Sequence, residues 1–293
     1  MLKLPLESVE SCHLDSALLN MGDFLGHGLA GSFYVILGLW WYIKIIFMYV
    51  CKKQAQTCYH RSEAFFQRAE ILEGTICLVM VLTGGTGLLT YSGSTEMTLR
   101  KEGQWIQLKR FQHLTIYLFF GLWAVTNILC FTIKSIPISL TKLMLTNAFS
   151  AGAFILYTHP HSPQVVDILL HELLCLAIFL AGLVSFIEVL IKENIMLALL
   201  RSSFTILHGS WFCQLAFVLY PPTGVLAWDL NDHINSVFFT ICFCWHYAFI
   251  YVIMGVVYVA VTWFVKWRIR KPYPSEVVLL KNAEREEESE EEM

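Results

Sequence analysis

The sequence predicts an all-α integral membrane protein, a bundle of about seven transmembrane helices, and two observations support this. Hydrophobic residues make up 56% of the 293-residue chain and charged residues 15%, against roughly 25% charged residues in an average soluble domain. The apolar residues also form runs of about 20, the length that a helix needs to cross a ~30 Å hydrocarbon core. Backbone polar groups in hydrocarbon must be satisfied within each segment, so these runs indicate helices.

Seven apolar runs occupy residues 29–265 and define the predicted transmembrane domain. They are residues 29–50, 71–90, 111–133, 136–157, 166–191, 195–220 and 237–265. The second run is short and rich in glycine around "TGGTG", so a six-helix alternative would make it re-entrant. Residues 1–28 are predicted to be a polar extension that lacks the apolar core of a signal peptide. Residues 266–293 are predicted to be a disordered tail, first basic and then acidic.

Lysine and arginine residues near the helix ends predict the orientation, because cytosolic loops carry an excess of both. Such residues follow the first, third, fifth and seventh helices: Lys52, Lys53, Arg61, Arg68, Lys134, Lys192, Lys266, Arg268, Arg270 and Lys271. This alternation predicts a lumenal or extracellular N-terminus and a cytosolic C-terminus. The second loop does not fit the rule, because it would place four basic residues outside the cytosol. They are Arg100, Lys101, Lys109 and Arg110.

Eight of the ten histidines fall in the predicted outer half of the bundle or at its midplane. At 1.5 Å rise per residue, His208 and His246 come out ~15 Å deep. Ionisable residues inside a membrane are candidate functional groups by default, and neutral imidazole is the commonest metal ligand in proteins. The candidate metal ligands are His27, His113, His171 and His246.

Asp167 and His171 stand four residues apart, on one face of the fifth helix. A carboxylate in this position can orient an imidazole for metal binding. Asp167 is therefore the candidate group that hydrogen-bonds the His171 ligand without binding the metal itself. Zinc, copper or haem would be the cofactor. Two alternatives stay open: histidines that only hydrogen-bond neighbouring helices, which is the preferred interpretation, and a proton relay through His208 and His246.

Glu70 and Glu73 stand at the predicted start of the second helix, where acidic residues complement the positive end of the helix dipole. This interpretation is preferred to an intramembrane acidic site. Most tryptophans fall near predicted helix ends, where indole rings favour the membrane interface. Trp245 is the exception, and it is expected to pack inside the bundle.

Charged residues at the inner helix ends are expected to stay near the interface. Glu188 and Lys192 are predicted to form an ion pair, because they stand four residues apart on the fifth helix. Lys142 and Arg201 are each predicted to snorkel toward the inner interface along their flexible side chains.

Several segments resemble the transmembrane protein 45 family, and the resemblance runs from about residue 21 to residue 293. The segments are "GHGLAGSFYVILGLWW", "RAEILEG", "SLTKLMLTNA", "LLRSSFTILHGSWFCQLAFVLYPP", "CFCWHYA" and the tail "SEVVLLKNAEREEESEEEM". The resemblance implies a multi-pass protein of seven helices in Golgi, endosomal or lysosomal membranes or at the cell surface, with no settled biochemical activity. The chain departs from the family pattern at Ala30, Gln112, Gly152 and His208, where the family has proline, histidine, an acidic residue and glutamine.

These observations favour a non-enzymatic endomembrane protein that acts through contacts with proteins and membrane lipids, with the acidic tail as the surface for a cytosolic adaptor. One alternative is a metal- or haem-binding membrane oxidoreductase or hydrolase with a lumen-facing histidine cluster. The other alternative is a proton-coupled membrane carrier. The sequence has no phosphate-binding glycine loop, no nucleophile elbow and no basic-aromatic patch for nucleic acid. The nine cysteines form no CxxC pair, which argues against a disulfide framework or zinc finger.

Overall fold

In the residues that it describes, the computed structural model of the protein consists of helices, one short hairpin and connecting loops. It describes residues 6–54, 56–91, 100–101, 104–105, 107–159, 162–191, 194–222 and 226–270. The helices are α1 (Leu6–Gln54), α2 (Gln56–Tyr91), α3 (Leu108–Thr132), α4 (Ser139–Tyr157), α5 (Val165–Leu190), α6 (Ile195–Leu219) and α7 (His233–Arg270). Strands β1 (Arg100–Lys101) and β2 (Gln104–Trp105) pair antiparallel between α2 and α3.

Each of the seven helices contains a segment long and apolar enough to cross a membrane, which confirms the predicted seven-helix bundle. The first two helices differ most from the prediction. Helix α1 begins at Leu6, so most of the residues predicted as a separate extension are its first turns. In α2, the segment Ala64–Leu89 is continuous helix and long enough to span, so the second run is not re-entrant. Helix α7 continues to Arg270, so residues 266–270 of the predicted disordered tail are helical. The rest of that tail, residues 271–293, and His161 lie outside the described residues.

Helices α1 and α6 approach each other most closely, at paired glycines. A Cβ atom added to Gly209 would lie 2.6 Å from the carbonyl oxygen of Gly31, and one added to Gly31 would lie 2.7 Å from that of Gly209. Real Cβ contacts are not this short, so the two backbones can meet only where both residues are glycine. This contact fixes α1 against α6 near the middle of the bundle.

The core follows from the neighbour relations of the helices. Helices α2 to α6 each pack on the next in sequence, α6 packs on α1, and α7 lies against α1, α5 and α6. Trp41 of α1 is 2% exposed and makes edge-to-face contacts with Trp123 of α3 and Phe149 of α4. The Trp41 indole thus joins α1 to both α3 and α4.

Helix α7 turns much of its apolar surface outward, and this overturns the prediction for Trp245. Trp245 is 59% exposed, and its ring packs on Phe249 of the same helix. Each residue of an α-helix is rotated about 100° from the one before. His246 faces the bundle, so its neighbour Trp245 faces away from it.

Candidate functional site

Two connected groups of charged side chains occupy one end of the bundle, inside the candidate membrane segments. The Lys44 cluster consists of Lys44, Glu70, Glu73, Trp40 and Trp41, from α1 and α2. The Glu188 cluster consists of Glu188, Lys142 and Arg201, from α5, α4 and α6. Together they bring three acidic and three basic groups into the segments that cross the membrane.

Lys44 is the centre of the first cluster. Its Nζ atom lies 2.8 Å from Oε1 of Glu70 and 2.7 Å from Oε2 of Glu73. The two glutamates stand three residues apart, so α2 presents both on one face. Lys44 is 8% exposed, and its two contacts have the short distances of charge-assisted hydrogen bonds. One ammonium therefore faces two carboxylates, so these three groups carry a net negative charge when all are ionised, whereas the connected Glu188 cluster carries a net positive charge.

The two carboxylates have different surroundings. Glu73 accepts hydrogen bonds from Nε1 of Trp40 at 2.9 Å and from Nε1 of Trp41 at 2.6 Å, in addition to its bond from Lys44. Its side chain is 4% exposed, while that of Glu70 is 19% exposed. Among the described residues, Lys44 is the one group that donates to the Glu70 carboxylate. The Glu73 side chain is thus enclosed by protein, whereas part of the Glu70 side chain is exposed.

The Glu188 cluster corrects the predictions for Lys142 and Arg201 and leaves the predicted Glu188–Lys192 pair untested. Nε of Arg201 donates to Oε2 of Glu188 at 2.8 Å, and Nζ of Lys142 lies 3.0 Å from Oε1. Glu188 thus pairs with cations from α4 and α6, whereas its predicted partner Lys192 lies outside the described residues. Lys142 and Arg201 were predicted to snorkel to the interface, and both side chains end on Glu188 instead. A buried carboxylate offers these cations a stronger partner than water at the helix ends.

Trp41 connects the two clusters. The guanidinium carbon of Arg201 lies 4.5 Å from the centre of a Trp41 ring, the geometry of a cation–π contact. The N–H of the same indole is bonded to Glu73. A displacement of Arg201 or of Glu73 would therefore change contacts in both clusters.

The prediction that Glu70 and Glu73 form the acidic first turn of the second helix is wrong. Helix α2 begins at Gln56, and its first turn contains no acidic residue. The polar residues ahead of Glu70 continue the helix, so both carboxylates lie well inside it. Sequence reasoning also overlooked Lys44. The available signal was a lysine within an apolar run, since ionisable residues in membrane helices are functional candidates by default.

A histidine cluster lies at the opposite end of the bundle. The rings of His113 and His159 have centres 5.2 Å apart, and those of His159 and His171 have centres 6.1 Å apart. His27 lies within electrostatic reach of His113 and His171. Nδ1 of His171 is 2.9 Å from Oδ1 of Asp167, so the predicted carboxylate–imidazole contact is present.

His27 is held by aromatic rings at this end. Its ring packs on Phe212 and Tyr220, with centres 5.3 and 5.1 Å away, and its Nδ1 lies 2.7 Å from the carbonyl oxygen of Asp23. Burial raises the pKa of Tyr220, just beyond the end of α6, to about 12, and the charges of Asp23 and Asp167 act in the same direction. The phenol beside His27 is therefore neutral in physiological solution.

His246 and His208 have separate partners. Nδ1 of His246 lies 3.2 Å from the hydroxyl of Ser210, and its ring packs on Trp211. Nδ1 of His208 lies 3.2 Å from the carbonyl oxygen of Leu174. Both imidazoles thus hydrogen-bond a neighbouring helix, as the preferred interpretation expected. Neither imidazole has the other among its hydrogen-bond or ring partners, so the structure places no direct relay between His208 and His246.

The four predicted metal ligands are therefore only partly brought together. His27, His113 and His171 share one end of the bundle, and His246 lies apart from them on α7 beside Ser210. In the part of the chain that the structure describes, no group of three or more histidine, cysteine, aspartate or glutamate side chains is placed to hold a metal ion. Metal binding by these histidines stays a prediction.

Comparison with known proteins finds similarity to one family model and to proteins named as transmembrane. Residues 138–259 match the model of a family of unknown function (DUF716). The chain is 26% identical to Transmembrane epididymal protein 1 of Rattus norvegicus over 236 residues, which cover 77% of this chain and 76% of that protein. It is also 26% identical to Transmembrane epididymal protein 1A of Mus musculus over 241 residues, with the same coverage. With the seven helices, these similarities support an integral membrane protein.

Proposed function

We propose that this protein is a proton-coupled membrane carrier whose charged centre is the Lys44 cluster. The observation that supports this is one buried lysine shared by two glutamates inside segments that cross the membrane. Lys44 lies nine residues from the end of its candidate span at Lys53, about two and a half helical turns. Glu73 lies nine residues from the start of its span at Ala64, so the two helices place the cluster at the same depth.

The energetic cost of the cluster argues for a role in moving charge. Desolvation of buried ions often exceeds their mutual attraction, and apolar replacements of buried ion pairs are often neutral or stabilising. Charged groups inside membrane segments are expensive and mark ion or proton pathways. A lysine with two carboxylates also changes its net charge with a single proton, because protonation of either carboxylate makes the three groups neutral together.

A pH jump applied to proteoliposomes on a solid-supported electrode tests this function. Such a measurement detects charge displacement during proton binding, and it needs no knowledge of the coupled solute. We expect a transient current from the wild-type protein and none from the triple variant Lys44→Met/Glu70→Gln/Glu73→Gln, which replaces the charged groups by neutral ones of similar size. A wild-type current no larger than that of protein-free liposomes would exclude the carrier function.

A second candidate function rests on the acidic stretch "EREEESEEEM", which lies outside the described residues. We propose membership of the transmembrane protein 45 family, residence in Golgi, endosomal or lysosomal membranes or at the cell surface, and recruitment of a cytosolic adaptor by this stretch. The segment resemblance and the similarity to proteins named transmembrane support the proposal. Deletion of residues 283–293 should change cellular location or neighbours in proximity labelling, and an unchanged pattern would count against it.

Metal binding by the histidines is tested separately. Elemental analysis and a visible spectrum of the purified protein should be compared with the variant His113→Ala/His171→Ala/His246→Ala. Stoichiometric zinc, copper or iron that disappears in the folded variant would support a metal or haem site. Equal metal content in the two proteins would refute it.

A further inference from the structure

The two carboxylates of the Lys44 cluster are not equivalent, although they share a helix face and a cation. Three N–H donors hold Glu73, from Trp40, Trp41 and Lys44, at distances of 2.6–2.9 Å. Among the described residues, the Glu70 carboxylate has one donor, Lys44, at 2.8 Å. Hydrogen bonds donated to a carboxylate stabilise its charged form. Glu73 is therefore the better stabilised anion of the pair.

Exposure differs in the same direction. The side chain of Glu70 is 19% exposed, whereas those of Lys44 and Glu73 are 8% and 4% exposed. The Glu70 carboxylate is therefore less enclosed by protein than the Glu73 carboxylate. The hydrogen bonds and the exposure thus both single out Glu70 as the carboxylate that is less tightly held by the protein.

We infer that Glu70 is the carboxylate of the Lys44 cluster that gains and loses a proton, and that Glu73 is the fixed counter-ion of Lys44. The inference rests on the proposed carrier function. In the step itself, the Glu70 carboxylate takes a proton from water and becomes a carboxylic acid, with no electron transferred. Lys44 and Glu73 then form a neutral pair. Release of the proton restores the negative charge on Glu70.

The charged groups around Glu70 fit this assignment. Lys44 faces it from α1, Glu73 lies one turn along α2, and Arg201 acts on it from α6. Arg201 is already bonded to Glu188 of α5, which also holds Lys142 of α4. Lys44 is thus the direct counter-ion of Glu70, and it keeps Glu73 as a partner when Glu70 is neutral.

The backbone of α2 at Glu70 is held by α3. Nδ2 of Asn127 on α3 donates to the carbonyl oxygen of Glu70 at 2.8 Å. The next turn of α2 is also tightly packed, since a Cβ atom added to Gly74 would lie 3.0 Å from the carbonyl oxygen of Ala124. Protonation of Glu70 can therefore proceed without unfolding of α2.

Infrared difference spectroscopy on acidification tests the assignment, with Glu70→Gln and Glu73→Gln as the matched pair. The carbonyl stretch of a protonated carboxylic acid should be lost from the Glu70→Gln spectrum and kept in that of Glu73→Gln. The reverse result, or equal spectra for wild type and Glu70→Gln, would overturn the assignment. If Glu70→Gln does not fold, Glu70→Asp replaces it: the midpoint of the band must then move relative to wild type, and an unmoved midpoint would overturn the assignment.

The pH-jump current separates this inference from the carrier function. We expect Glu70→Gln to lose the current that the wild type gives. If the wild type gives a current and Glu70→Gln gives the same current, the assignment of Glu70 fails and the carrier function stands. If the infrared band depends on Glu70 and the wild type gives no current, Glu70 is correctly assigned and the carrier function fails.

Discussion

Replacing Lys44 with methionine should destabilise the protein by about 3 kcal/mol. Methionine keeps the length and apolar stem of lysine but removes the ammonium, so two contacts of 2.8 and 2.7 Å are lost. Removing one partner of a buried ion pair costs about 3–5 kcal/mol, because the other charge is left uncompensated. We expect the lower end of this range, since Glu73 keeps two indole donors and Glu70 is 19% exposed.

Reversible unfolding in mixed detergent micelles, followed by tryptophan fluorescence, measures this change. The matched control is the variant Lys44→Met/Glu70→Gln/Glu73→Gln, in which no charge is left and the amide oxygens can still accept from the indoles. It should recover most of the stability, to within about 1 kcal/mol of wild type, as replaced buried ion pairs often do. A Lys44→Met variant within about 0.5 kcal/mol of wild type, the range of ordinary surface substitutions, would refute the reasoning, as would a control that is equally destabilised.

Three further predictions concern packing and the second cluster. Gly209→Ala should lower the free energy of unfolding by about 1–3 kcal/mol, because the added methyl group overpacks α1 against α6. The control Gly255→Ala has nothing within 4 Å of the added Cβ and should stabilise the helix by up to ~1 kcal/mol. Equal free energies of unfolding for the two variants would contradict the close contact. Glu188→Gln should lower the free energy of unfolding by about 3 kcal/mol, because it leaves the largely buried Arg201 without its anion. Lys142→Met should lower it by less than about 1 kcal/mol, since the side chain of Lys142 is 41% exposed. The reverse order in the same unfolding assay would refute this prediction. Trp245→Leu should change stability by less than about 0.5 kcal/mol, because the ring faces outward, and a larger loss would mean that it packs inside.

The helices could be predicted from the sequence because the length of an apolar run is a local property. Their boundaries were less predictable, because polar residues can continue a helix beyond the membrane. Residues 6–22 and 56–63 do so in α1 and α2. This also explains the error at Glu70 and Glu73, which were assigned to a first turn that in fact begins at Gln56. The outward direction of Trp245 was not predictable either, because α7 is apolar all round and gives no amphipathic signal.

The site could be predicted only where its contacts are local. Asp167 and His171 are one turn apart on the same helix, and their contact follows from helix geometry. Lys44 and its partner Glu73 are 29 residues apart and lie on different helices. His246 and Ser210 are 36 residues apart. Such pairs depend on which helices are neighbours, and a single sequence with seven similar apolar runs does not contain that information.

The proposed function requires the Lys44 cluster to exchange a proton with water. Proton uptake by the purified protein measures this exchange directly. Wild type and the variant Lys44→Met/Glu70→Gln/Glu73→Gln should be acidified in parallel in weakly buffered detergent solution containing a pH indicator dye. Each wild-type molecule should take up more protons than the variant, and restoring Glu70 alone to the variant should return this difference. Equal uptake by the two folded proteins would contradict it.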